Sequence, residues 1–198
     1  MSLNRFSDST EVGCDEAGRG ALCGPVIAAA VILPKDFKNE DLNDPKKISL
    51  KKRNELSKII HQEAIACEIG IIKANEIDKI NILNASIKAM HKALDKIKIN
   101  FDIILVDGPH FKNYKDFQHE CVVRGDSKYL AIAAASIIAK TYRDELMFKL
   151  HEKNPEYKWC RNKGYPTYDH RNAIHKYGIS NYHRKSFKLI DNQTSLNI

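Results

Sequence analysis

The chain has 198 residues, a length that suits one compact domain with a sizeable core. Lysine and arginine total 32 against 25 aspartate and glutamate residues, and the net charge of +7 favours polyanionic partners without identifying them. The five cysteines are widely spread and lack a CxxC pair, which argues against a zinc ribbon or a disulfide framework. The N-terminal ten residues are polar, and the longest apolar run, 26–33, is far shorter than the about 20 residues that a membrane span needs. We therefore expect a cytoplasmic protein with no membrane association.

The N-terminal third predicts two strands, a helix and a third strand. Residues 11–14 and 25–33 read as strands in a hairpin-like arrangement, separated by a glycine-rich turn. The lysine-rich stretch from about Ser49 has apolar residues at helical spacing, and 65–72 reads as a further strand.

The rest of the chain continues this alternation. A helix is predicted from near Glu76, with one apolar stripe expected to face the core and formed by Leu83, Ile87, Met90 and Leu94. A buried strand over 101–106 ends at an acid, 129–150 is the longest helical candidate, and 168–177 is a short helical piece. Alternating strands and helices predict a three-layer α/β or α+β domain around a mixed sheet.

Acidic residues occupy the ends of two predicted strands and one helix. Asp15 and Glu16 follow an apolar strand and run into Gly18-Arg19-Gly20, Asp107 ends the strand over 101–106, and Asp144 lies on the long helix. Neighbouring strand residues point to opposite faces, so two adjacent acids can serve one site only where the backbone leaves regular β geometry, as the glycines would permit.

The residue types around these acids indicate a particular metal chemistry. Ser136, Lys140 and Asp144 are spaced four apart and share one helix face. Carboxylates without histidine or cysteine partners suit Mg²⁺ or Mn²⁺, and two such ions about 3.5–4 Å apart support in-line displacement at phosphorus. Spacing alone leaves open the alternative that these acids are solvated or structural.

Longer motifs add a resemblance to a known family. The run Gly13 to Val26 is similar to the N-terminal signature of ribonuclease HII. Further blocks follow in family order between residues 11 and 187: Asp44 to Ser49, Glu76 to Asp78 with Asn81-Ile82, Val106 to Gly108, Gly125 to Ser127 with Ala134 to Lys140 and Arg143-Asp144, Asn162 to Thr167 with His170, and His183 to Phe187.

The resemblance implies a fold, a division of the chain and a reaction. The fold is a ribonuclease H-like mixed five-stranded sheet flanked by helices, with residues 1–150 as the catalytic domain and 151–198 as a small helical extension that packs on it and contributes substrate contacts. The reaction is hydrolysis of the RNA strand of RNA:DNA hybrids, and cleavage 5' of ribonucleotides embedded in duplex DNA, leaving 5'-phosphate and 3'-hydroxyl ends.

The resemblance also assigns roles to residues. It implies that a two-ion Mn²⁺ or Mg²⁺ site is formed by Asp15, Glu16, Asp107 and Asp144, and Asp126 ranks below Asp144 as a supporting or substrate-side residue. The glycines of Gly18-Arg19-Gly20 would let main-chain groups read the ribose 2'-hydroxyl, although the same motif also occurs as an ordinary tight turn. Tyr165 would stack on a sugar beside the scissile phosphate, as the family's tyrosine does. The remaining candidate substrate contacts, mostly basic, are Arg19, Lys46, Lys47, Ser136, Lys140, Lys163, His183 and Arg184.

Two prolines depart from the family pattern. Pro45 replaces the usual serine of an Asp-Ser-Lys motif and removes a hydroxyl and an N–H donor, while Pro166 replaces a common glycine and stiffens the loop that carries Tyr165. Two rival functions share some of these features: a metal-dependent DNA nuclease or resolvase on the same scaffold, and a catalytically inert nucleic-acid-binding module. We expect a monomer whose partner is nucleic acid.

Overall fold

The computed structural model describes residues 3–43 and 48–190, so the predictions for Pro45, Lys46 and Lys47 lie outside the described residues. Strands and helices alternate along the described part of the chain in this order: β1 Glu11–Ala17, β2 Val26–Ile32, α1 Leu50–Glu63, β3 Ala66–Ile72, α2 Ala74–Ile80, α3 Ile82–Leu94, β4 Ile103–Asp107, β5 Gln118–Val122, α4 Leu130–Lys153, α5 Trp159–Asn162 and α6 Tyr168–Tyr177. Short 3-10 turns cover Glu40–Asn43, Gly125–Ser127 and Pro155–Tyr157.

The strands form one mixed five-stranded sheet in the order β3-β2-β1-β4-β5. β1 and β3 are antiparallel to β2, whereas β4 is parallel to both β1 and β5. The mixed sheet expected from the sequence is therefore confirmed. Its fifth strand, Gln118–Val122, was not predicted, because this edge strand is polar and only partly buried and has no apolar run.

Helices cover both faces of the sheet, and β2 shows how the two layers divide. Its even-numbered residues from Val26 to Ile32 pack in one core with α2 and α3, while Ala29 and Val31 pack in a second core with α1 and α4. All seven β2 residues are buried, which explains why this strand reads as a continuous apolar run rather than an alternating one.

Two glycines allow helices to lie directly on the sheet. A Cβ at Gly13 in β1 would lie 2.1 Å from the backbone carbon of Ala131 in α4, and a Cβ at Gly70 in β3 would lie 1.9 Å from the carbonyl oxygen of Ala89 in α3. Real Cβ atoms do not come this close to backbone atoms, so the spacing between sheet and helices depends on the missing side chains.

The helix predicted from near Glu76 is in fact two helices. Asn81 has a φ of 63°, which interrupts the helix, and its side chain accepts a hydrogen bond from the Asn84 N–H at 3.0 Å to cap α3. The predicted apolar stripe is buried except at its first residue: Leu83 is 36% exposed and does not belong to the core.

The C-terminal elements pack on α4 through a third cluster of buried residues, which comprises Leu22, Cys23, Met147, Tyr157, Trp159, Ala173 and Ile174. α6 has the predicted bounds, 168–177. Within the described ranges, none of the helices combines the length and apolar character needed to cross a bilayer.

Candidate active site

Asp15 and Glu16 lie in β1 itself, close to the end of the neighbouring strand β4. β1 keeps its pairing with β2 as far as Ala17, so the expected departure from β geometry at the two acids does not occur. The ladder between β1 and β4 instead stops at Cys14 and Val106, one residue before Asp15 and Asp107. The two acids thus reach the region of Asp107 because the neighbouring ladder ends there.

The Asp15 carboxylate is buried among groups of both signs. Burial raises its pKa well above the ordinary value, the negative charge of Glu16 and then that of Asp107 raise it further, and the Lys140 ammonium opposes them. A hydrogen bond with the Ser136 hydroxyl also lowers the pKa of Asp15. In addition, Asp15 accepts the Glu16 N–H at 2.6 Å. One partly exposed lysine thus faces several carboxylates.

Glu16, which precedes the Gly18-Arg19-Gly20 turn, is also repelled by the Asp107 charge. Burial raises the pKa of Glu16, Arg19 lowers it through its charge and a hydrogen bond, and the Asp107 charge raises it again. The Arg19–Glu16 ion pair measures 3.1 Å, and the Arg19 side chain is 46% exposed. The charges of Asp15 and Glu16 therefore both interact with that of Asp107.

Asp107 is joined to a second acid through the 3-10 turn before α4. Its Oδ1 accepts the Gly125 N–H at 2.7 Å and the Asp126 N–H at 3.4 Å. Asp126 is 2% exposed. The turn therefore places a buried aspartate directly beside Asp107. We call Asp15, Glu16, Asp107 and Asp126 the acidic cluster.

Asp144 lies elsewhere. Ser136, which contacts Asp15, is eight residues earlier in α4, and at 1.5 Å per residue this places Asp144 about 12 Å further along the helix axis. The Asp144 carboxylate forms an ion pair with Arg53, and both side chains are largely shielded from solvent. The ranking of Asp144 above Asp126 is therefore not what the geometry favours: Asp126 has the backbone contact with Asp107.

Ser136 and Lys140, predicted as substrate contacts, line the acidic cluster from α4. Ser136 is fully buried, and the Lys140 ammonium donates a hydrogen bond to its hydroxyl. These contacts orient Asp15, which differs from the predicted role on the substrate.

The Gly18-Arg19-Gly20 turn leads away from Glu16 and meets Tyr165. Gly18 is buried with a φ of +94°, a conformation that L side chains rarely adopt, whereas Arg19 and Gly20 are exposed. A Cβ at Gly20 would lie 4.0 Å from Cε1 of Tyr165, whose side chain is 39% exposed. The predicted ribose-reading turn and the predicted stacking tyrosine are thus neighbours at the surface.

Two residues predicted to contact phosphate are buried. His183 is 2% exposed and Arg184 is 0% exposed, and the Arg184 guanidinium donates to the carbonyl oxygens of Gly24 at 3.0 Å and Arg19 at 2.9 Å. Their contacts are internal, so the structure does not support the phosphate role. The Lys163 ammonium lies 3.7 Å from the centroid of the Phe148 ring and donates to the Cys160 carbonyl.

Arg143 is a functional candidate that the sequence reasoning missed. It is 1% exposed, yet it borders Gly18, the loop that follows it and the Tyr165 ring. A signal was available, because residues one helical turn from Arg143 on its own face, Ala139, Leu146 and Met147, are apolar. For Asp126, the signal was its position just before the longest apolar helix.

The donor set of the acidic cluster fits a hard divalent cation. Its potential ligands are carboxylate oxygens, and their mutual repulsion is only partly balanced by Lys140 and Arg19. Within residues 3–43 and 48–190, no three His, Cys, Asp or Glu side chains already enclose a common point as metal ligands would. Ion binding would therefore involve rotation of these side chains.

A mixed five-stranded sheet with acids at the adjoining ends of two central strands defines the ribonuclease H-like class of nucleases. The family model described as ribonuclease HII matches residues 12–190. Two curated relatives, both named ribonuclease HII, are 58% identical: that of Christiangramia forsetii over 187 residues and that of Parabacteroides distasonis over 186, covering 94% of this chain and of each relative.

Solved structures agree on the fold. The ribonuclease H2 of Pyrococcus horikoshii matches with a TM-score of 0.78 at 22% identity, covering 91% of this chain and 94% of that one. Bst-RNase HIII in complex with Mn²⁺ matches with a TM-score of 0.72 at 16% identity, covering 93% and 68%.

The chain belongs to the ribonuclease HII family. As a member it is a hydrolase and an endonuclease of the ribonuclease H type, and membership implies activity on the RNA of RNA:DNA hybrids and dependence on a divalent metal.

Proposed function

We propose that this protein hydrolyses the RNA strand of RNA:DNA hybrids and cuts 5' of single ribonucleotides embedded in duplex DNA, with two divalent ions, Mn²⁺ or Mg²⁺, at the acidic cluster. The observation that carries this proposal is the position of the cluster beside the Gly18-Arg19-Gly20 turn, in which Arg19 and Gly20 are exposed. Glu16 is followed within four residues by Gly18 and Gly20, so a sugar that is read by the turn lies close to the carboxylates.

Asp15, Glu16, Asp107 and Asp126 would hold the ions. Ions bound there would lower the pKa of a water so that it can lose a proton and act as nucleophile, and would stabilise the negative charge on the leaving 3'-oxygen. We place Asp126 in this set instead of Asp144, because only Asp126 contacts Asp107 through its backbone and is buried beside it.

The protein's own side chains prepare the cluster for its ligands. Ser136 hydrogen-bonds Asp15, and Lys140 in turn hydrogen-bonds Ser136, so α4 fixes the orientation of the carboxylate from behind. Arg19 pairs with Glu16 at the exposed side, where it is close enough to the cluster to bind a phosphate of the substrate strand as well.

Ribose selection follows from the turn and the tyrosine. Arg19 and Gly20 are exposed, and their N–H groups and the Gly20 carbonyl would offer donors and an acceptor that a 2'-hydroxyl can bond, whereas the Arg19 carbonyl already accepts from Arg184. Gly20 also has no Cβ to hold the sugar away. The Tyr165 ring beside Gly20 supplies a flat surface on which the adjoining sugar can rest. Binding without base contacts would follow, since phosphate and sugar carry no sequence information.

The test uses three labelled duplexes: one with a single ribonucleotide, a full RNA:DNA hybrid and an all-DNA control. Each is incubated with Mn²⁺, Mg²⁺ or a chelator, and the cut positions are mapped. We expect metal-dependent cleavage of the first two, with 5'-phosphate ends, and none of the third. Cleavage of the all-DNA duplex would favour a DNA nuclease, and hybrid binding without products would favour an inert binding module; either result contradicts the proposal.

A further inference from the structure

Two arginine side chains are buried beneath the ribose-reading turn, where the charges of Asp144 and Asp78 act on Arg143 and Arg184, respectively, from beyond ion-pair distance. Arg143 is 1% exposed and Arg184 is 0% exposed. Among the residues that the structure describes, neither guanidinium takes part in an ion pair with a carboxylate. Burying a charge without a partner of opposite charge is costly, so their placement calls for a compensating role.

Backbone carbonyls of one loop take the place of the missing acids. Arg143 donates from Nε to the Pro25 oxygen and from Nη2 to the Cys23 oxygen, both at 3.2 Å. Arg184 donates from its side chain to the oxygens of Gly24 and Arg19, and from its backbone N–H to that of Leu22 at 2.8 Å. Five carbonyls between residues 19 and 25 thus accept from these two arginines. We call them the arginine pair, and Gly18 to Pro25 the 18–25 loop.

Arg143 also reaches both surface elements of the proposed ribose site. A Cβ at Gly18 would lie 2.0 Å from its Nε, so the guanidinium fills the space that the glycine leaves open. Its Cζ lies 5.3 Å from the centroid of the Tyr165 ring, within cation–π distance. One side chain therefore touches the start of the 18–25 loop, its end, and the tyrosine that adjoins Gly20.

The loop is tied to the tyrosine by backbone contacts as well. The Leu22 N–H donates to the Gly164 oxygen at 2.8 Å, and a Cβ at Gly164 would lie 2.7 Å from the Cys23 oxygen. These contacts fix one end of each segment, whereas Arg19, Gly20 and Tyr165 are exposed. The arginine pair is what supports the exposed end of the loop from inside.

We propose that Arg143 and Arg184 are positioning residues that fix the register of the substrate: they set the distance between the 18–25 loop and Tyr165, and so select which phosphodiester bond lies at the acidic cluster. This inference rests on the proposed function. Neither side chain touches the substrate, since both are buried.

Lysine substitutions test the proposal, because lysine keeps the charge but loses the planar set of donors that binds two carbonyls at once. The variants are Arg143→Lys and Arg184→Lys, with Arg161→Lys, an exposed arginine of α5, as the matched control. The main substrate is a duplex with four consecutive ribonucleotides, in which several bonds compete for cleavage. Products are mapped in Mn²⁺, and hybrid affinity is measured in chelator.

We expect the wild type and Arg161→Lys to cut one dominant bond, and Arg143→Lys to spread its cuts over neighbouring bonds. On a single-ribonucleotide duplex, kcat/KM should fall about tenfold or more, since small displacements of bound substrate slow reaction strongly. The Kd of the uncut hybrid should stay within about threefold, because the exposed phosphate-binding charges are unchanged. Arg184→Lys should show the same pattern, so the proposal can be tested even where one variant does not fold.

A purely structural role would give a different result. Partial unfolding lowers the number of active molecules and thus the rate, but leaves the distribution of cuts as in the wild type. An unchanged distribution in both lysine variants therefore overturns the inference, whatever their rates. A wild-type protein that cuts neither the hybrid nor the single-ribonucleotide duplex would instead overturn the proposed function.

Discussion

The 18–25 loop separates two charged regions that the fold treats in opposite ways. On one side, the carboxylates of Asp15 and Glu16 are repelled by that of Asp107, while Lys140 opposes this repulsion at Asp15 and Arg19 opposes it at Glu16. On the other side, the arginine pair is also buried outside any direct ion pair with a described carboxylate, but each guanidinium donates to two backbone carbonyls.

The contrast separates groups that are ready to bind from groups that are already bound. In the acidic cluster, burial and the charges of neighbouring carboxylates raise the pKa values of Asp15 and Glu16, which is typical of a functional site. The arginine pair donates to backbone carbonyls of the protein itself, which is typical of residues that stabilise a loop. The hydrogen-bond and ionic partners of a buried charged residue thus help to distinguish a ligand-binding role from a structural one.

Substitution of Asp107 should have the largest effect and tests whether the acidic cluster is the functional region of the two. Asp107→Asn should lower kcat by about 10³-fold or more, because it removes a proposed metal ligand, while the hybrid still binds. The amide oxygen of asparagine can still accept the Gly125 N–H, so the fold should survive. Single-turnover cleavage and a binding assay measure the two effects. Asp116→Asn, at an exposed aspartate, is the control; full activity of Asp107→Asn would remove Asp107 from the site.

A pair of substitutions separates the two candidates for the fourth acid. Asp126→Asn should lower kcat/KM by about 10²-fold, whereas Asp144→Asn should lower it less than about tenfold, since only the former removes a carboxylate beside Asp107. Cleavage rates over a range of Mn²⁺ concentrations measure both. The reverse order would restore Asp144 as the ligand and assign Asp126 the supporting role.

Acid should weaken the region of the arginine pair through two buried histidines. Trp159 donates to Nε2 of His170 at 3.0 Å, so that nitrogen has no proton and His170 is neutral. His183 Nε2 lies 3.2 Å from the same nitrogen, and its Nδ1 accepts the Ser180 N–H at 2.9 Å. Burial, and then His170, lower the pKa of His183 to about 4, and burial lowers that of His170.

The sign of the effect follows from these lowered pKa values. Below pH about 6.5, His183 binds a proton in the unfolded chain but not in the folded chain. The free energy of unfolding therefore falls as the pH drops from about 6.5 to about 4. The contribution of His183 to this fall is about 3 kcal/mol. Above pH 6.5 this contribution is fully present. Urea unfolding at several pH values measures it, with His183→Gln expected to show a shallower pH dependence. The exposed His175→Gln is the control. Equal slopes for His183→Gln and wild type would contradict the prediction.

The smallest expected effect concerns the tyrosine beside Gly20. Tyr165→Ala should lower kcat/KM about tenfold through loss of the flat ring, while Tyr165→Phe should stay within about twofold, because the hydroxyl is not needed for stacking. Initial rates on the single-ribonucleotide duplex measure this. Equal losses in both variants would show that the hydroxyl, and not the ring, carries the contact.

The sequence predicts the elements whose patterns are apolar and continuous, and loses those whose structure depends on a distant neighbour. β2 was predicted because its two buried faces give a continuous apolar run. α6 was predicted only as a short helical piece, and the structure shows that the Thr167 side chain caps it. β5 has no such pattern, since its pairing with β4 defines it. The break at Asn81 depends on one φ angle that propensity does not reveal.

The predictions for the site residues succeeded and failed for the same reason. Strand ends and motif positions indicated Asp15, Glu16 and Asp107, and these three lie where their charges interact. Helical spacing predicted Asp144 on the Ser136 face, but did not account for the distance that two turns of helix add. Arg184 and His183 were expected at the surface because basic residues usually are; only the folded chain shows that carbonyls of a loop 160 residues away accept from Arg184.

The contact between Gly13 and α4 has a consequence for the precision of the acidic cluster. With only a hydrogen atom at position 13, the helix backbone rests on the strand itself, two residues before Asp15. A methyl group at position 13 would push α4 away from the sheet. Ser136 and Lys140 would then move away from the Asp15 carboxylate that they orient. The close contact between strand and helix at Gly13 therefore keeps Ser136 and Lys140 in place against Asp15.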